Sequence, residues 1–356
     1  MINPRVAERS KPVTIITGFL GAGKTTFLNA LIAFYRENDK KVLIIENEFG
    51  EENIDSELVI GADNGLFGLS NGCLCCNLNE ELFDLLDELW EQRDSFDELI
   101  IETTGIADPA AVAIPFLTNP SVARHYRLER VIGLVDAPLI EATLSRANEA
   151  GRQISFSDIL LITKTDAVFP GELVRTKEIL NEINPFAIVL SGNKADGYPL
   201  KQITGYIRAA HMEGSEPPDE NESHCEHDHH HEHHHHTGHH DIVSFSFCFS
   251  DPMDVEKLEL RLMLLLNLQA ENIYRVKGIV YACSDKRMVL QSVSNLLSVS
   301  EGRPWSANEQ RNSRIVFIGK QLNPHAFEAI LRQCLVSKKK MKAGKTEKAQ
   351  NKNPLH

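Results

Sequence analysis

The stretch from Gly18 to Thr26 has the residue types and spacing of a phosphate-binding loop. It follows an apolar, β-branched run that predicts a strand, and it precedes apolar residues at helical spacing. Its glycines allow the backbone to curl, so that successive N–H groups point at a β-phosphate near the positive end of the helix dipole. Lys24 can reach the β- and γ-phosphate oxygens, and the Thr25 hydroxyl can bind Mg²⁺. The predicted nucleotide-binding residues here are Gly18, Gly21, Ala22, Gly23, Lys24, Thr25 and Thr26.

A carboxylate follows a later apolar strand. Glu102 comes directly after Leu99-Ile100-Ile101, which is the Walker B position, with Glu in place of the commoner Asp. An acid at this position holds Mg²⁺ or a water bound to it. Lys24, Thr25 and Glu102 are therefore the predicted catalytic residues.

The segment Thr163-Lys164-Thr165-Asp166 follows the apolar run Ile159-Leu160-Leu161-Ile162. Its spacing matches the guanine-reading motif of GTPases, with Thr in place of the usual Asn. An Asp carboxylate can accept both the N1–H and the 2-amino hydrogens of guanine, and adenine lacks this pair of donors. A site of this kind rejects the wrong base by about 10⁴-fold. We therefore expect Thr163, Lys164 and Asp166 to bind GTP rather than ATP.

Three cysteines, Cys73, Cys75 and Cys76, follow a long stretch with weak periodicity. Two thiolates one residue apart can face the same way in an extended segment, and Glu46 and Glu51 could complete a tetrahedral Zn²⁺ site. The alternative is a set of reactive or structural thiols without a metal. Thiolates favour Zn²⁺, Cu⁺ or Co²⁺ over Mg²⁺.

A histidine-rich segment lies further along the chain. Eleven histidines occur between His224 and His240, interleaved with acidic residues. Such a composition cannot build a packed core, and it is typical of a flexible linker that collects metal. An expression tag is the alternative, but tags lie at termini and are usually pure histidine. We name His224, His227 and His229 as candidate metal ligands.

The order of the elements predicts the architecture. Strands and helices alternate over residues 12–210, which predicts an α/β domain with a doubly wound, mostly parallel sheet. The histidine-rich linker spans 211–241. A smaller α+β domain follows over 242–336, and a lysine-rich, disordered tail spans 337–356.

Composition excludes some classes of partner. The net charge of −13 argues against nucleic acid, because such proteins need a surplus of Lys and Arg to neutralise phosphates. The longest apolar run, 262–266, is far shorter than the roughly 18 residues that a membrane span needs. The first residues are not typical of a secretory signal or a transit peptide. We therefore expect a cytoplasmic protein without a membrane partner.

Taken together, these motifs resemble the CobW-like GTPases, a family of metallochaperones related to the nickel-insertion GTPases of urease and hydrogenase maturation. The resemblance runs from Pro12 to Leu335. It includes the phosphate loop, Glu-Asn-Glu-Phe-Gly-Glu from Glu46, Gly-Cys-Leu-Cys-Cys from Gly72 and Tyr-Arg-Val-Lys-Gly from Tyr274.

The resemblance implies slow GTP hydrolysis coupled to the delivery of a transition metal to a client metalloprotein. The metal is most often zinc in this family, with Co²⁺ or Ni²⁺ as alternatives. Cys75, Glu46 and Glu51 lie at positions that match an internal metal site. A homodimer that depends on nucleotide or metal is a further expectation.

The position of the cysteine segment suggests how the two activities could be coupled. Residues 46–76 lie between the phosphate loop and Glu102, where GTPases have their switches. No catalytic Gln or Arg finger can be placed from the sequence, which predicts a slow intrinsic rate. Two other functions stay open: a zinc store or buffer, and a cobalt-handling protein of cobalamin biosynthesis.

Overall fold

The computed structural model describes residues 10–46, 66–68, 74–208, 241–306 and 309–336. They fall into two compact units, one in the N-terminal and one in the C-terminal part of the chain. The predicted linker, 211–241, lies outside the described residues except for Asp241, and the predicted tail, 337–356, lies outside them entirely. Among the described helices, none combines the length and the apolar character that crossing a membrane requires.

The first unit is a parallel sheet with helices between its strands, as predicted. Its described strands occur in the spatial order β3-β2-β4-β1-β5-β6-β7, and neighbouring strands run parallel. They are β1 (Lys11–Gly18), β2 (Val42–Glu46), β3 (Leu66–Gly68), β4 (Glu98–Glu102), β5 (Tyr126–Asp136), β6 (Ile159–Thr163) and β7 (Ile188–Ser191). The helices are α1 (Lys24–Glu37), α2 (Leu74–Glu91), α3 (Pro109–Thr118), α4 (Pro120–His125), α5 (Ile140–Arg146), α6 (Asn148–Phe156), α7 (Pro170–Ile183) and α8 (Leu200–Thr204).

The core of this unit explains why its strands and its first helix can be predicted from the sequence. The strands β1, β4 and β6 are buried along almost their whole length, and such strands appear as continuous apolar runs. Helix α1 buries one face against the sheet, formed by Phe27, Leu28, Leu31, Ile32 and Tyr35. The sheet and its first helix together hold the phosphate loop that connects them.

A buried ion pair lies within this unit. Arg130 Nη1 donates to Glu98 Oε1 at 3.0 Å, and both side chains are about 95% buried. Glu98 also accepts hydrogen bonds from the hydroxyls of Thr14 and Tyr35. Burial, and then the Glu98 carboxylate, raise the pKa of Tyr35 above its usual value. Arg130 Nε donates to the carbonyl of Tyr206, which ties the end of the unit to the sheet.

Arg130→Met should lower the free energy of unfolding of the first unit by about 3–5 kcal/mol, because it leaves the Glu98 carboxylate buried without its cation. Chemical denaturation of the full chain measures this. Arg175→Met is the matched control, since Arg175 pairs with Glu141 at the surface and exposed ion pairs contribute little. Equal effects of the two substitutions would contradict a stabilising role for the buried pair.

The second unit is an α+β module, also as predicted. Its sheet has the order β11-β10-β9-β12-β8, and the pairings of β10 with β11, of β10 with β9 and of β12 with β9 are antiparallel. Its elements are β8 (Ile242–Phe249), α9 (Val255–Leu268), β9 (Ile273–Val280), β10 (Lys286–Val293), β11 (Leu296–Pro304), β12 (Ser313–Lys320) and α10 (Pro324–Arg332). Phe317 and Phe327 pack edge to face in its core, with ring centroids 4.8 Å apart.

The prediction that the cysteines lie in an extended loop is wrong for Cys75 and Cys76. Both lie in the first turn of α2, which begins at Leu74. Leucines recur every fourth residue from Leu74 to Leu86, so the helical pattern of the later leucines extends back over the cysteines. The pairing of Cys73 with Cys75 assumed an extended segment, and Cys75 lies in a helix instead. Cys73 lies outside the described residues.

Candidate nucleotide-binding site

The predicted phosphate loop connects β1 to α1, and its backbone takes the conformation that glycine permits. Gly18, Gly21 and Gly23 all have positive φ, at 147°, 78° and 88°. A Cβ at Gly18 would lie 2.6 Å from the carbonyl oxygen of Leu134 on β5, so this position has no room for a side chain. Gly23 caps α1, and no side chain bonds to the first turn from that position. The first N–H groups of a helix point out of its N-terminus, so those of α1 face the loop, as an anion site requires.

Lys24 is the first residue of α1 and reaches back across the loop. Its Nζ donates to the carbonyl oxygen of Gly18 at 3.0 Å. This contact holds the ammonium over the curled backbone, where the β- and γ-phosphates of a nucleotide are expected. Thr25, next in the helix, is half-buried, and Thr26 is exposed. The roles of these side chains stay predictions.

Thr163 ties the guanine-reading segment to the phosphate loop. It ends β6, its side chain is buried, and its hydroxyl donates to the carbonyl oxygen of Ala22 at 2.9 Å. The hydroxyl also lies 3.1 Å from the carbonyl of Val135. The Thr163 hydroxyl thus bonds to the backbone of the phosphate loop. Its contribution to base binding stays a prediction.

Lys164 is held by an acid that the sequence reasoning missed. Its backbone is left-handed, with φ of 52°, and its Nζ lies 2.7 Å from Oδ2 of Asp136. Asp136 ends β5 and is the register partner of Thr163 on β6. An acid that follows a buried strand is a signal that could have identified Asp136, as it identified Glu102.

Asp166 lies in the short 3₁₀ turn Thr165–Ala167 and is exposed. Burial, and then the Asp166 carboxylate, raise the pKa of Tyr198 above its usual value. Asn193 links the loop after β7 to the turn that contains Asp166, because its Nδ2 donates to Thr165 Oγ1 at 3.0 Å and to Asp196 Oδ2 at 2.8 Å. The sequence pattern alone identifies neither Asn193 nor Tyr198 as part of this site.

Glu102 ends β4, next to β1 in the sheet, and is half-buried. On its other side β4 pairs with β2, and the register places Glu46 directly opposite Glu102. The predicted magnesium acid and a predicted zinc ligand thus end adjacent strands in the same row. Both lie at the carboxyl edge of the sheet, where ligands bind in α/β folds.

The remaining predicted metal ligands cannot be assembled into a site. Glu51, Cys73, His224, His227 and His229 lie outside the described residues. Where the structure describes side chains, no group of three or more His, Cys, Asp or Glu residues is placed to hold a metal ion. The zinc site therefore stays a prediction.

Phosphate, magnesium and guanine contacts are thus all available from strand ends at one edge of a parallel sheet, which is the arrangement of a P-loop GTPase. Residues 12–191 match the CobW/HypB/UreG nucleotide-binding domain. Residues 242–335 match the cobalamin synthesis protein cobW C-terminal domain. The chain belongs to this CobW/HypB/UreG family of GTPases.

Individual relatives agree with this assignment. The chain is 33% identical over 325 residues to the zinc chaperone YjiA of Escherichia coli (strain K12), which covers 89% of this chain and 96% of YjiA. It is 32% identical to the zinc chaperone CobW of Pseudomonas aeruginosa, with 91% of each chain covered. The crystal structure of the Zn(II)-bound YjiA GTPase from E. coli superposes with a TM-score of 0.68 at 29% identity, over 92% of this chain and 99% of that one.

Proposed function

We propose that this chain is a cytoplasmic zinc metallochaperone that uses GTP hydrolysis to deliver Zn²⁺ to a client metalloprotein. The observation that supports it most directly is the register of β2 against β4, which sets Glu46 opposite Glu102. Two relatives that cover most of the chain are named zinc chaperones. In this proposal the ligands of the tetrahedral zinc come from the five residues Glu46, Glu51, Cys73, Cys75 and Cys76.

The described residues support the nucleotide chemistry of this proposal. Lys24 neutralises the β- and γ-phosphate oxygens, and the loop N–H groups orient them. The donor set at the sheet edge suits Mg²⁺, because Thr25 and Glu102 offer the oxygen ligands that this hard cation prefers. When bound, Mg²⁺ supplies positive charge to the phosphates. Asp166 reads the guanine base while Lys164 is fixed by Asp136.

The binding of GTP and the binding of zinc would be coupled at the carboxyl edge of the sheet, which the two sites share. Glu46 lies in the same strand row as Glu102, so a change at the magnesium acid is one strand away from the zinc ligand. A γ-phosphate that repositions this edge would alter zinc affinity, and linkage requires that zinc alter GTP affinity by the same factor. Couplings of this kind are typically 5–150-fold.

Cys75→Ala should weaken zinc binding by at least about 100-fold, because removing a metal ligand costs more than the roughly 10–100-fold of disturbing its supporting shell. We would measure zinc affinity by competition with a chromogenic chelator, with a GTP analogue and with GDP. Cys283→Ala is the matched control, since Cys283 is an exposed free cysteine in the second unit. Repeating the competition with Co²⁺ and Ni²⁺ tests the other metals.

Two outcomes would contradict the proposal. Equal zinc affinity with GTP analogue and with GDP would remove the coupling, because a ligand without differential binding shifts no equilibrium. Equal effects of the Cys75 and Cys283 substitutions would remove the cysteine site. Size measurements under the same nucleotide and zinc conditions would test for the expected homodimer.

A zinc store is the second candidate function, and the eleven histidines between His224 and His240 favour it. Deleting residues 224–240 separates the two. A store would lose most of its zinc capacity, whereas a chaperone would keep one tight site that responds to nucleotide.

A further inference from the structure

The segment that follows Glu102 is held from one side by helix α6. Gln153 donates from Nε2 to the carbonyl oxygens of Gly105 and Ala107, each at 3.1 Å. Both partners are acceptors only, so the amide nitrogen must face them. On the same helix, Arg152 lies 3.4 Å from the carboxylate of Asp108. Helix α6 thus bonds to both ends of residues 105–108, which we call the post-Glu102 segment.

The post-Glu102 segment touches the phosphate loop on its other side. Gly105 is buried, and a Cβ at this position would lie 2.7–2.8 Å from the side chain and backbone nitrogen of Leu20. The loop and the segment therefore pack so closely that only glycine fits between them. Movement of either one must be accommodated by the other.

Gln153 is well suited to fix this contact. Gln153 is 2% exposed. Its backbone carbonyl accepts a hydrogen bond from Ser157 Oγ at 2.6 Å, which secures the end of α6. The C=O and N–H of a trans peptide group point in opposite directions. Because the carbonyls of Gly105 and Ala107 point at α6, the N–H groups of the same two peptides point away from that helix. Gln153 therefore determines the orientation of two peptide groups in the post-Glu102 segment.

The surroundings of Gln153 and of the segment are not filled on every side. A partly open cavity of about 30 Å³ lies beside Gln153 and is lined mainly by apolar side chains, including Leu20 and Leu139. Ile106, in the middle of the segment, is 52% exposed. The amide hydrogen bonds, rather than dense packing on every side, hold the segment in place.

We propose that Gln153 is a positioning residue for GTP hydrolysis, which holds the post-Glu102 segment against the phosphate loop so that the segment distinguishes GTP from GDP. The inference rests on the GTPase activity of the family and not on the zinc site. GTP and GDP differ only at the γ-phosphate, and segments beside the phosphate loop are those that a γ-phosphate orders. Gln153 touches no nucleotide in this proposal and acts through the backbone of Gly105 and Ala107.

The test uses the full chain with Gln153→Glu, which keeps the shape of the side chain and, when ionised, has no donor for the two carbonyls. We expect kcat for GTP to fall about tenfold. Affinity for a non-hydrolysable GTP analogue should fall about tenfold, while affinity for GDP stays within threefold. Fluorescent-nucleotide titration and phosphate release measure these values.

Asn184→Asp is the matched control. Asn184 is a buried amide on the chain after α7 that also bonds to backbone carbonyls, those of Ile154, Ser155 and Ser157, at the far end of α6. It should lower the thermal midpoint without changing the ratio of GTP-analogue to GDP affinity. Equal losses of affinity for the GTP analogue and for GDP in the two variants would overturn the proposal. An unchanged kcat and an unchanged ratio of the two affinities in Gln153→Glu would also overturn it. If Gln153→Glu fails to fold, Gln153→Met removes the same bonds without charge and carries the same expectation.

Discussion

Lys24→Ala should reduce kcat for GTP hydrolysis by about 10³-fold. Lys24 is held across the phosphate loop by its bond to the Gly18 carbonyl, so its ammonium is preorganised before nucleotide binds. Removing one preorganised group aimed at developing charge typically costs 10²–10³-fold, and Lys24 bears a full charge. Phosphate release under saturating GTP measures the loss.

Affinity for GDP should also fall in Lys24→Ala, because the lysine contacts the β-phosphate that both nucleotides share. Lys201→Ala is the control, since Lys201 is an exposed lysine on α8. Thermal midpoints of both variants should match that of the parent chain. A kcat within about fivefold of the parent in Lys24→Ala would show that another cation serves the phosphates.

The phosphate loop and the alternation of strands and helices could be predicted because both are local in sequence. Gly18, Gly21 and Gly23 need positive φ, and the helix that begins at Lys24 follows at once. The buried strands β4 and β6 are continuous apolar runs, which no amphipathic helix reproduces. These features depend on residues that are close together in the chain, so a single sequence is enough to predict them.

The contacts that assemble the site could not be predicted in the same way. Thr163 bonds to Ala22 across 141 positions, and Gln153 bonds to Gly105 across 48. Nothing in the local pattern of either donor specifies its acceptor, because the pairing depends on strand order. The order β4-β1-β5-β6 creates these neighbours, and several orders are compatible with the same alternation.

Some elements were missed because their local signal is weak. Strand β3 has three residues, too few to show a period. Helix α3 contains Pro115 and is apolar on nearly every side, so it lacks the polar face that identifies a helix. The start of α2 was missed because Cys75 and Cys76 suggested a metal loop, although the leucine spacing continued through them.

Asp166→Asn should change which base the site accepts. The carboxylate accepts two hydrogens from guanine, and an amide in its place would present one donor to guanine's 2-amino group, leaving polar groups mismatched. A site of this kind loses up to 10⁴-fold in such an exchange, and because Asp166 is exposed we expect a loss of GDP affinity of about 10³-fold.

Xanthine has a carbonyl where guanine has the amino group, so Asp166→Asn should bind XDP more tightly than GDP. Competition by GDP and XDP against a fluorescent nucleotide measures both, with Asp94→Asn, at an exposed aspartate outside the site, as the control. Unchanged preference for GDP would mean that the guanine is read by other groups, and the Thr163–Asp166 segment would then serve only to support the phosphate loop through Thr163.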